Sequence, residues 1–125
     1  MFNRDNRFDI SLKAGQATEN TLAELMLGRL DVEVKAEIGK WQQTGNAAIE
    51  YECRGNPSGI AVTKANWWAH CFMDGDKVKL VVILPIEAVK KLARDNWSRK
   101  ATGGDDNAAK MVLVKIGDMV NASLL

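Results

Sequence analysis

One alternating stretch constrains the fold of this chain more than any other. Residues 31 to 37 are DVEVKAE, in which Asp31, Glu33 and Lys35 alternate with Val32 and Val34. A period of two with β-branched residues predicts a strand, whose alternate side chains share one face. We therefore expect the charged side chains in a row, about 6 to 7 Å apart. The valines are expected to face the core.

Helical and strand-like segments follow each other along the rest of the chain. Helices are predicted over residues 14 to 27, from residue 86 onward, and over 117 to 125. Strands are predicted for AAIEYECR (47 to 54), IAVT (60 to 63), the two sides of a DGDK hairpin, and KMVLVKI (110 to 116). Residues 98 to 109, SRKATGGDDNAA, are predicted to form a loop. Runs of neighbouring strands between helices favour an α/β or α+β fold with a central mixed sheet flanked by helices.

Length and composition set the size and class of the protein. At 125 residues the chain has the length of one domain, and its 46% hydrophobic and 26% charged residues are typical of a globular protein. No apolar run approaches the ~20 residues that span a bilayer, and the polar N-terminus lacks a signal core. We expect a single domain over residues 1 to 125, in the cytoplasm and without a membrane partner.

The scarcity of histidine and cysteine excludes several kinds of site. His70 is the sole histidine, follows a tryptophan pair, and is interpreted as a packed residue, which leaves a serine or cysteine triad without a base. Cys53 and Cys71 lack the spacing of a zinc site and are interpreted as reduced thiols. A net charge of +1 does not indicate nucleic-acid binding by itself, so such binding requires local basic patches.

The acidic row on the first strand is the candidate site. Neighbouring carboxylates repel unless a positive group lies between them, and Mg²⁺ prefers hard carboxylate oxygens. Glu19, on the preceding helix, and Glu50 with Glu52, on the next strand, are further acids that such a site would use. The alternative interpretation is a solvated charged face of an antiparallel sheet, with Glu50 and Glu52 pairing with lysines across strands.

Several segments in a fixed order resemble the small phage-type members of the PD-(D/E)xK nuclease superfamily, which includes restriction enzymes and Holliday-junction resolvases. The matching segments are GQATENTLAEL, VEVK, KWQQTGN, AAIEYE and PSGIAVTKANWW, which together span residues 15 to 72. In this resemblance Glu33 and Lys35 fill the E-x-K positions, and Glu19 fits the helix glutamate. The family's first aspartate lies on a preceding strand, and this chain has no candidate for that strand. Either Asp31 replaces that aspartate, or the metal site has fewer carboxylate ligands.

The resemblance implies a restriction-endonuclease-like fold and a metal-dependent DNA endonuclease, acting on branched or nicked DNA. Glu33, Asp31 and Glu19 would hold Mg²⁺ or Mn²⁺, and Lys35 would position the attacking water and stabilise its charge. Thr63 and Lys64 match a segment of the family, and with the nearby basic residues Lys40 and Lys13 they are the expected DNA contacts. A homodimer is expected by analogy, because cutting two strands requires two sites.

Two other functions stay open at this point. The absence of an upstream aspartate favours an inactive protein of the same fold that binds nucleic acid or a partner protein. An unrelated small α/β protein with a coincidentally charged strand is the third interpretation. For Trp67 and Trp68, adjacent positions on a strand predict that one packs in the core and the other points outward.

Overall fold

The computed structural model describes residues 20, 23–24 and 27–122, which divide into two compact units, Met1–Asp31 and Val32–Leu125. In the first unit Asn20, Ala23 and Glu24 are helical, and a turn follows at residues 27 and 28. These positions agree with the helix predicted for residues 14 to 27, most of which lies outside the described residues. Gly28 has a φ of 69°, which suits a glycine that ends a helix.

The second unit contains a three-stranded mixed sheet. Its strands are β1 (Val32–Glu37), β4 (Trp67–Asp74) and β5 (Lys77–Pro85), in the order β1-β4-β5. β1 runs parallel to β4, and β4 forms an antiparallel hairpin with β5. The predicted DGDK hairpin is confirmed, with Gly75 at a φ of 61° in its turn. This sheet therefore joins strands that are about thirty residues apart in the chain.

The other sheet is antiparallel and four-stranded. It contains β2 (Asn46–Cys53), β3 (Asn56–Pro57), β6 (Lys100–Gly103) and β7 (Ala109–Lys115), in the order β3-β2-β7-β6. β2 pairs with β7 along most of its length, with a bulge between Glu50 and Glu52. Among the described strands, β3 alone pairs with this side of β2, and only near Cys53, so the first part of β2 is a free edge there.

Three α-helices and two 3₁₀ turns complete the described part of the chain. The helices are α1 (Trp41–Thr44), α2 (Ile86–Asp95) and α3 (Ile116–Ala122), and the 3₁₀ turns are Gly59–Ala61 and Asp105–Asn107. Pro85 precedes α2, as the sequence predicts, because its fixed φ suits a helix start and its ring cannot donate to a sheet. The apolar face of α2 is buried and consists of Ile86, Val89, Leu92 and Ala93, and Met119 on α3 is buried as well.

One hydrophobic core unites both sheets and the helices. It takes Trp68 and Phe72 from β4, Ile49 from β2 and Val112 from β7, all fully buried. Trp68 is buried and Trp67 is partly exposed, which confirms the predicted division of the tryptophan pair. The α+β class is thus confirmed, although the strands form two sheets and not the one central sheet that was predicted.

Three further expectations are corrected. No strand forms at residues 60 to 63: residues 60 and 61 end a 3₁₀ turn that Gly59 begins with a φ of 53°, and residues 62 and 63 follow that turn. Part of the predicted loop at 98 to 109 is strand β6, which hydrogen-bonds to the edge of β7. Val34 is 62% exposed, so the alternation of β1 is right and its predicted inward face is wrong.

Candidate functional site

The charged row of β1 lies on the inner face of its sheet. In the parallel register Glu33 is opposite Trp68, Lys35 opposite His70, and Glu37 opposite Phe72. These three β4 side chains are buried, so the charged side chains of β1 extend from the same face that forms the core. An edge strand that turns charges inward and leaves Val34 exposed is the reverse of ordinary amphipathic packing. Such an inversion marks this edge as a candidate functional site.

Lys35 is held loosely among its neighbours. Its Nζ lies 4.0 Å from Oε2 of Glu33 and 5.8 Å from the centroid of the Trp68 ring. Both charged side chains are about one-third exposed. An ion pair at this distance is at the outer limit of a salt bridge and contributes little to stability. The amine therefore stays available for an anionic ligand.

Glu37 forms the best-ordered polar cluster of the site. Its Oε1 accepts hydrogen bonds from His70 Nε2 at 2.8 Å and from the Ala48 amide at 2.7 Å. Nδ1 of His70 accepts from the Trp68 indole N–H at 3.1 Å, which assigns the ring proton to Nε2 because an indole nitrogen only donates. Ala48 lies on the free edge of β2, so Glu37 ties one sheet to the other.

A cavity of about 600 Å³ opens between the two sheets at this point. Lys35 and Glu37 line it from β1, Glu50 from β2, and Lys40 and Trp41 from the segment around α1. Gly103, Gly104 and Met111 form part of the opposite wall. The volume lies within the roughly 300–1,000 Å³ of ordinary ligand pockets. The cavity thus joins the E-x-K lysine to acids from both sheets.

The turn beside β2 fixes Glu50 at the cavity wall. Ser58 Oγ donates to Glu50 Oε2 at 2.7 Å, and the Ser58 amide donates to the Tyr51 carbonyl. A Cβ at Gly59 would lie 2.3 Å from the Glu50 carbonyl oxygen, so glycine is required for this approach. Glu52, by contrast, binds Lys110 across the strands at 2.9 Å, and this hydrogen bond and charge raise the pKa of Lys110.

The predicted catalytic residues divide between the two units. Glu33 and Lys35 are adjacent on one face of β1, as predicted. Asp31 belongs to the first unit and is exposed directly before β1. Glu19 lies outside the described residues. Glu50 and Glu52 were expected on a strand next to β1, but β1 pairs with β4, and Glu50 reaches the same cavity from the facing sheet.

The predicted nucleic-acid contacts are also dispersed. Lys40 is exposed, precedes α1 and lines the cavity. Thr63 and Lys64 follow the 3₁₀ turn, where Thr63 Oγ1 accepts a hydrogen bond from the Ala65 amide at 3.3 Å and Lys64 is exposed. Lys13 lies outside the described residues. Lys40 is therefore the predicted DNA contact that the cavity includes.

The described residues do not complete a metal site. Within residues 20, 23–24 and 27–122, no three histidine, cysteine, aspartate or glutamate side chains converge closely enough to hold an ion. Oε1 of Glu37 already accepts hydrogen bonds from His70 and Ala48, so this oxygen is a poor ligand for a metal ion. The predicted set of Glu33, Asp31 and Glu19 therefore requires residues of the first unit.

Sequence reasoning missed Glu37, the most extensively bonded acid of the site. It continues the alternation of Glu33 and Lys35 by one step, which was the available signal. Its partner His70 was predicted to be packed, and it is 1% exposed. The contact between them depends on the pairing of β1 with β4, which the sequence pattern does not specify.

Comparison with known proteins gives no relative from which to transfer a function. No family model, no curated protein and no solved structure matches the chain. Among the described helices, none has the length and apolarity needed to cross a membrane.

Proposed function

We propose that this chain is a metal-dependent endonuclease that hydrolyses phosphodiester bonds in DNA, with a restriction-endonuclease-like fold and Lys35 as its central residue. The observation that carries the proposal is the inward row of β1, in which the Lys35 amine lies near Glu33 and Lys35 lines the cavity. Burying a charged side chain costs free energy unless the charge pairs with a group of opposite charge. A phosphate group is the partner that suits a loosely paired lysine.

Lys35 would act on the phosphate directly. Its ammonium group would orient the attacking water and stabilise the negative charge that develops on the oxygens. Glu33, whose carboxylate lies 4.0 Å from that amine, would bind the metal ion. Lys40, at the cavity, and Lys64 would hold the flanking phosphates, which makes the affinity salt-dependent.

The metal dependence of the proposed reaction requires carboxylates beyond those that the second unit brings together. Asp31 and Glu19 are the candidates, with Glu33 as their partner, and the preferred ion is Mg²⁺ or Mn²⁺ because hard oxygens are the ligands. A homodimer would place two such sites on the two strands of a branched or nicked DNA.

Cleavage of DNA junctions and nicked duplexes with Mg²⁺ tests the proposal. Lys35→Ala and Glu33→Ala should each lower the cleavage rate on the order of 100-fold or more, because each removes a group that stabilises the transition state. Lys79→Ala, an exposed lysine of β5, is the matched control and should leave the rate unchanged. Cleavage that survives Lys35→Ala would refute the proposed role of the lysine.

A second candidate is a nuclease-fold protein that binds nucleic acid or a partner protein without cutting. The incomplete carboxylate set among the described residues favours it. In that case a gel shift with Ca²⁺ would detect binding that the lysine substitutions weaken, while no cleavage occurs with Mg²⁺ or Mn²⁺. The two candidates thus differ in one measurement, product formation.

A further inference from the structure

We propose that the cavity between the sheets binds one nucleotide, with its phosphate at the lysines and an amino-bearing base, guanine above all, at Glu50. This inference rests on the proposed function and extends it by naming the part of the DNA that the cavity accepts. It depends on the charged groups that line the cavity, on the hydrogen bonds that hold its acids in place and on the size of the cavity.

Among the described residues, the cavity presents solvent-accessible groups of both signs that can bind a ligand. Lys40 makes no ion pair among the described residues, and Lys35 makes only the long one to Glu33. Within the same part of the chain, Glu50 Oε1 and Glu37 Oε2 have no hydrogen-bond partner. Solvent reaches these groups, since every buried side-chain nitrogen or oxygen of the described residues has a partner, so a ligand that carries both signs of charge can pair with them in place of water. Such a ligand needs an anionic end and an N–H-donating end.

A nucleotide has both ends in one small molecule. Its phosphate pairs with lysine, and its exocyclic amino group donates to a glutamate, as cytosine N4 does in base recognition. Guanine places two N–H groups side by side, which matches the two oxygens of a carboxylate. A base can also stack on an indole, and Trp41 lines the cavity with its Nε1–H donated to the Met73 carbonyl.

The acids of the cavity are fixed before any ligand arrives. Ser58 holds Oε2 of Glu50, and the close approach of Gly59 to the Glu50 carbonyl fixes the backbone behind it. His70 and the Ala48 amide hold Glu37. Groups that are already ordered lose little entropy on binding, so this preorganisation favours affinity. A free volume of about 600 Å³ accommodates a ligand of this class.

Titration of the full chain with dGMP and dTMP, followed by tryptophan fluorescence, tests the inference, since Trp41 and Trp68 line the cavity. We expect dGMP to quench the emission saturably and dTMP to bind at least tenfold more weakly. Glu50→Gln should weaken dGMP binding at least tenfold, whereas Glu52→Gln, two residues further along β2 and paired with Lys110, should not. Lys40→Ala should weaken both nucleotides, and Lys79→Ala neither.

The outcomes separate this inference from the nuclease proposal. No saturable quenching by dGMP, equal affinity for dTMP, or unchanged binding in both Glu50→Gln and Lys40→Ala would overturn the nucleotide site. Free glutamate that binds as tightly as dGMP would overturn it as well, since an amino acid also carries both charges. Specific dGMP binding without any DNA cleavage would support the nucleotide site and refute the nuclease, because the titration needs no reaction.

Discussion

At the scale of single residues, the inward acids of this protein differ in what they do. Glu37 accepts hydrogen bonds from the buried His70 and from the amide of the half-buried Ala48, Glu50 is held by Ser58 at one oxygen, and Glu33 faces Lys35 at a distance. The net value of a hydrogen bond is modest, but a buried donor left without its acceptor is expensive. Glu37 is therefore the acid that the fold needs most, and Glu33 is the one most readily explained by function.

Replacing Glu37 tests this division. Glu37→Ala leaves the Ala48 amide and His70 Nε2 without an acceptor, so we expect a loss of about 2 to 4 kcal/mol in the free energy of unfolding. Glu37→Gln keeps one carbonyl acceptor and should lose less. Urea denaturation measures both, with Glu87→Ala as an exposed control that stays within about 0.5 kcal/mol of the wild type. A Glu37→Ala variant as stable as that control would show that the cluster does not join the sheets.

Lys110 gives a pH-dependent test on the other side of β2. Its hydrogen bond to Glu52 raises the pKa of Lys110 in the folded state above the usual lysine value. The pair therefore stabilises the fold fully at any pH below the usual pKa. The contribution is lost as the pH rises through the raised pKa, when the amine loses its charge. We expect the stability difference between wild type and Lys110→Met to be constant from pH 7 to 9 and to vanish in strongly alkaline solution. A difference that grows with pH would contradict the assigned pairing.

At the scale of elements, the 3₁₀ turn beside β2 shows how backbone geometry fixes a side chain. Gly59 and Gly75 both have positive φ, but a Cβ at Gly75 meets nothing within 4 Å, whereas one at Gly59 meets the Glu50 carbonyl. Gly75→Ala should therefore lower the free energy of unfolding by about 1 to 2 kcal/mol, because alanine is strained in the left-handed conformation. Gly59→Ala should cost distinctly more, because the turn and β2 must separate.

The comparison of the two glycine variants isolates the close contact from the φ strain that they share. Urea denaturation gives the difference in stability, and the chemical shifts of Glu50 and Ser58 report whether β2 moves. Equal losses in the two variants, with unchanged shifts at Glu50, would mean that the turn does not hold β2 in place.

The elements that the sequence predicted well are those whose signals are local. The alternation of β1, the DGDK hairpin and the start of helix α2 at residue 86 depend on neighbouring residues, and all three are confirmed. The strand predicted for residues 60 to 63 was wrong, because Gly59 has a positive φ and begins a 3₁₀ turn in spite of the strand propensity of the residues that follow. β6 was missed because its four residues gain stability mainly by pairing with β7.

At the scale of the whole molecule, the site depends on contacts that no local pattern contains. β1 joins β4 across a long connection, and that pairing decides that Lys35 and Glu37 face inward while Val34 faces out. Alternation specifies two faces of a strand but not which of them is buried. The proximity of Glu33 and Lys35 was therefore predictable from sequence, whereas the cavity, the contact of Glu37 with His70 and the approach of Glu50 were not.

The division into two units yields the last prediction. Among the described residues, the buried members of the hydrophobic core lie within residues 47 to 119, so we expect a chain of residues 32 to 125 to fold alone. We expect it to unfold cooperatively in urea, with a free energy in the roughly 5–15 kcal/mol range of single domains. Circular dichroism and urea denaturation measure this directly. Loss of the cooperative transition would show that the first unit is part of the stable fold.

The same truncated chain separates the two proposals about function. It lacks Asp31 and Glu19, so DNA cleavage with Mg²⁺ should disappear if those carboxylates hold the metal. It keeps Lys35, Lys40 and Glu50, so dGMP should still quench the tryptophan fluorescence. Cleavage at the rate of the full chain would remove Asp31 and Glu19 from the proposed metal site. The ions would then need ligands from β1 and the cavity, where Glu37 has an oxygen available.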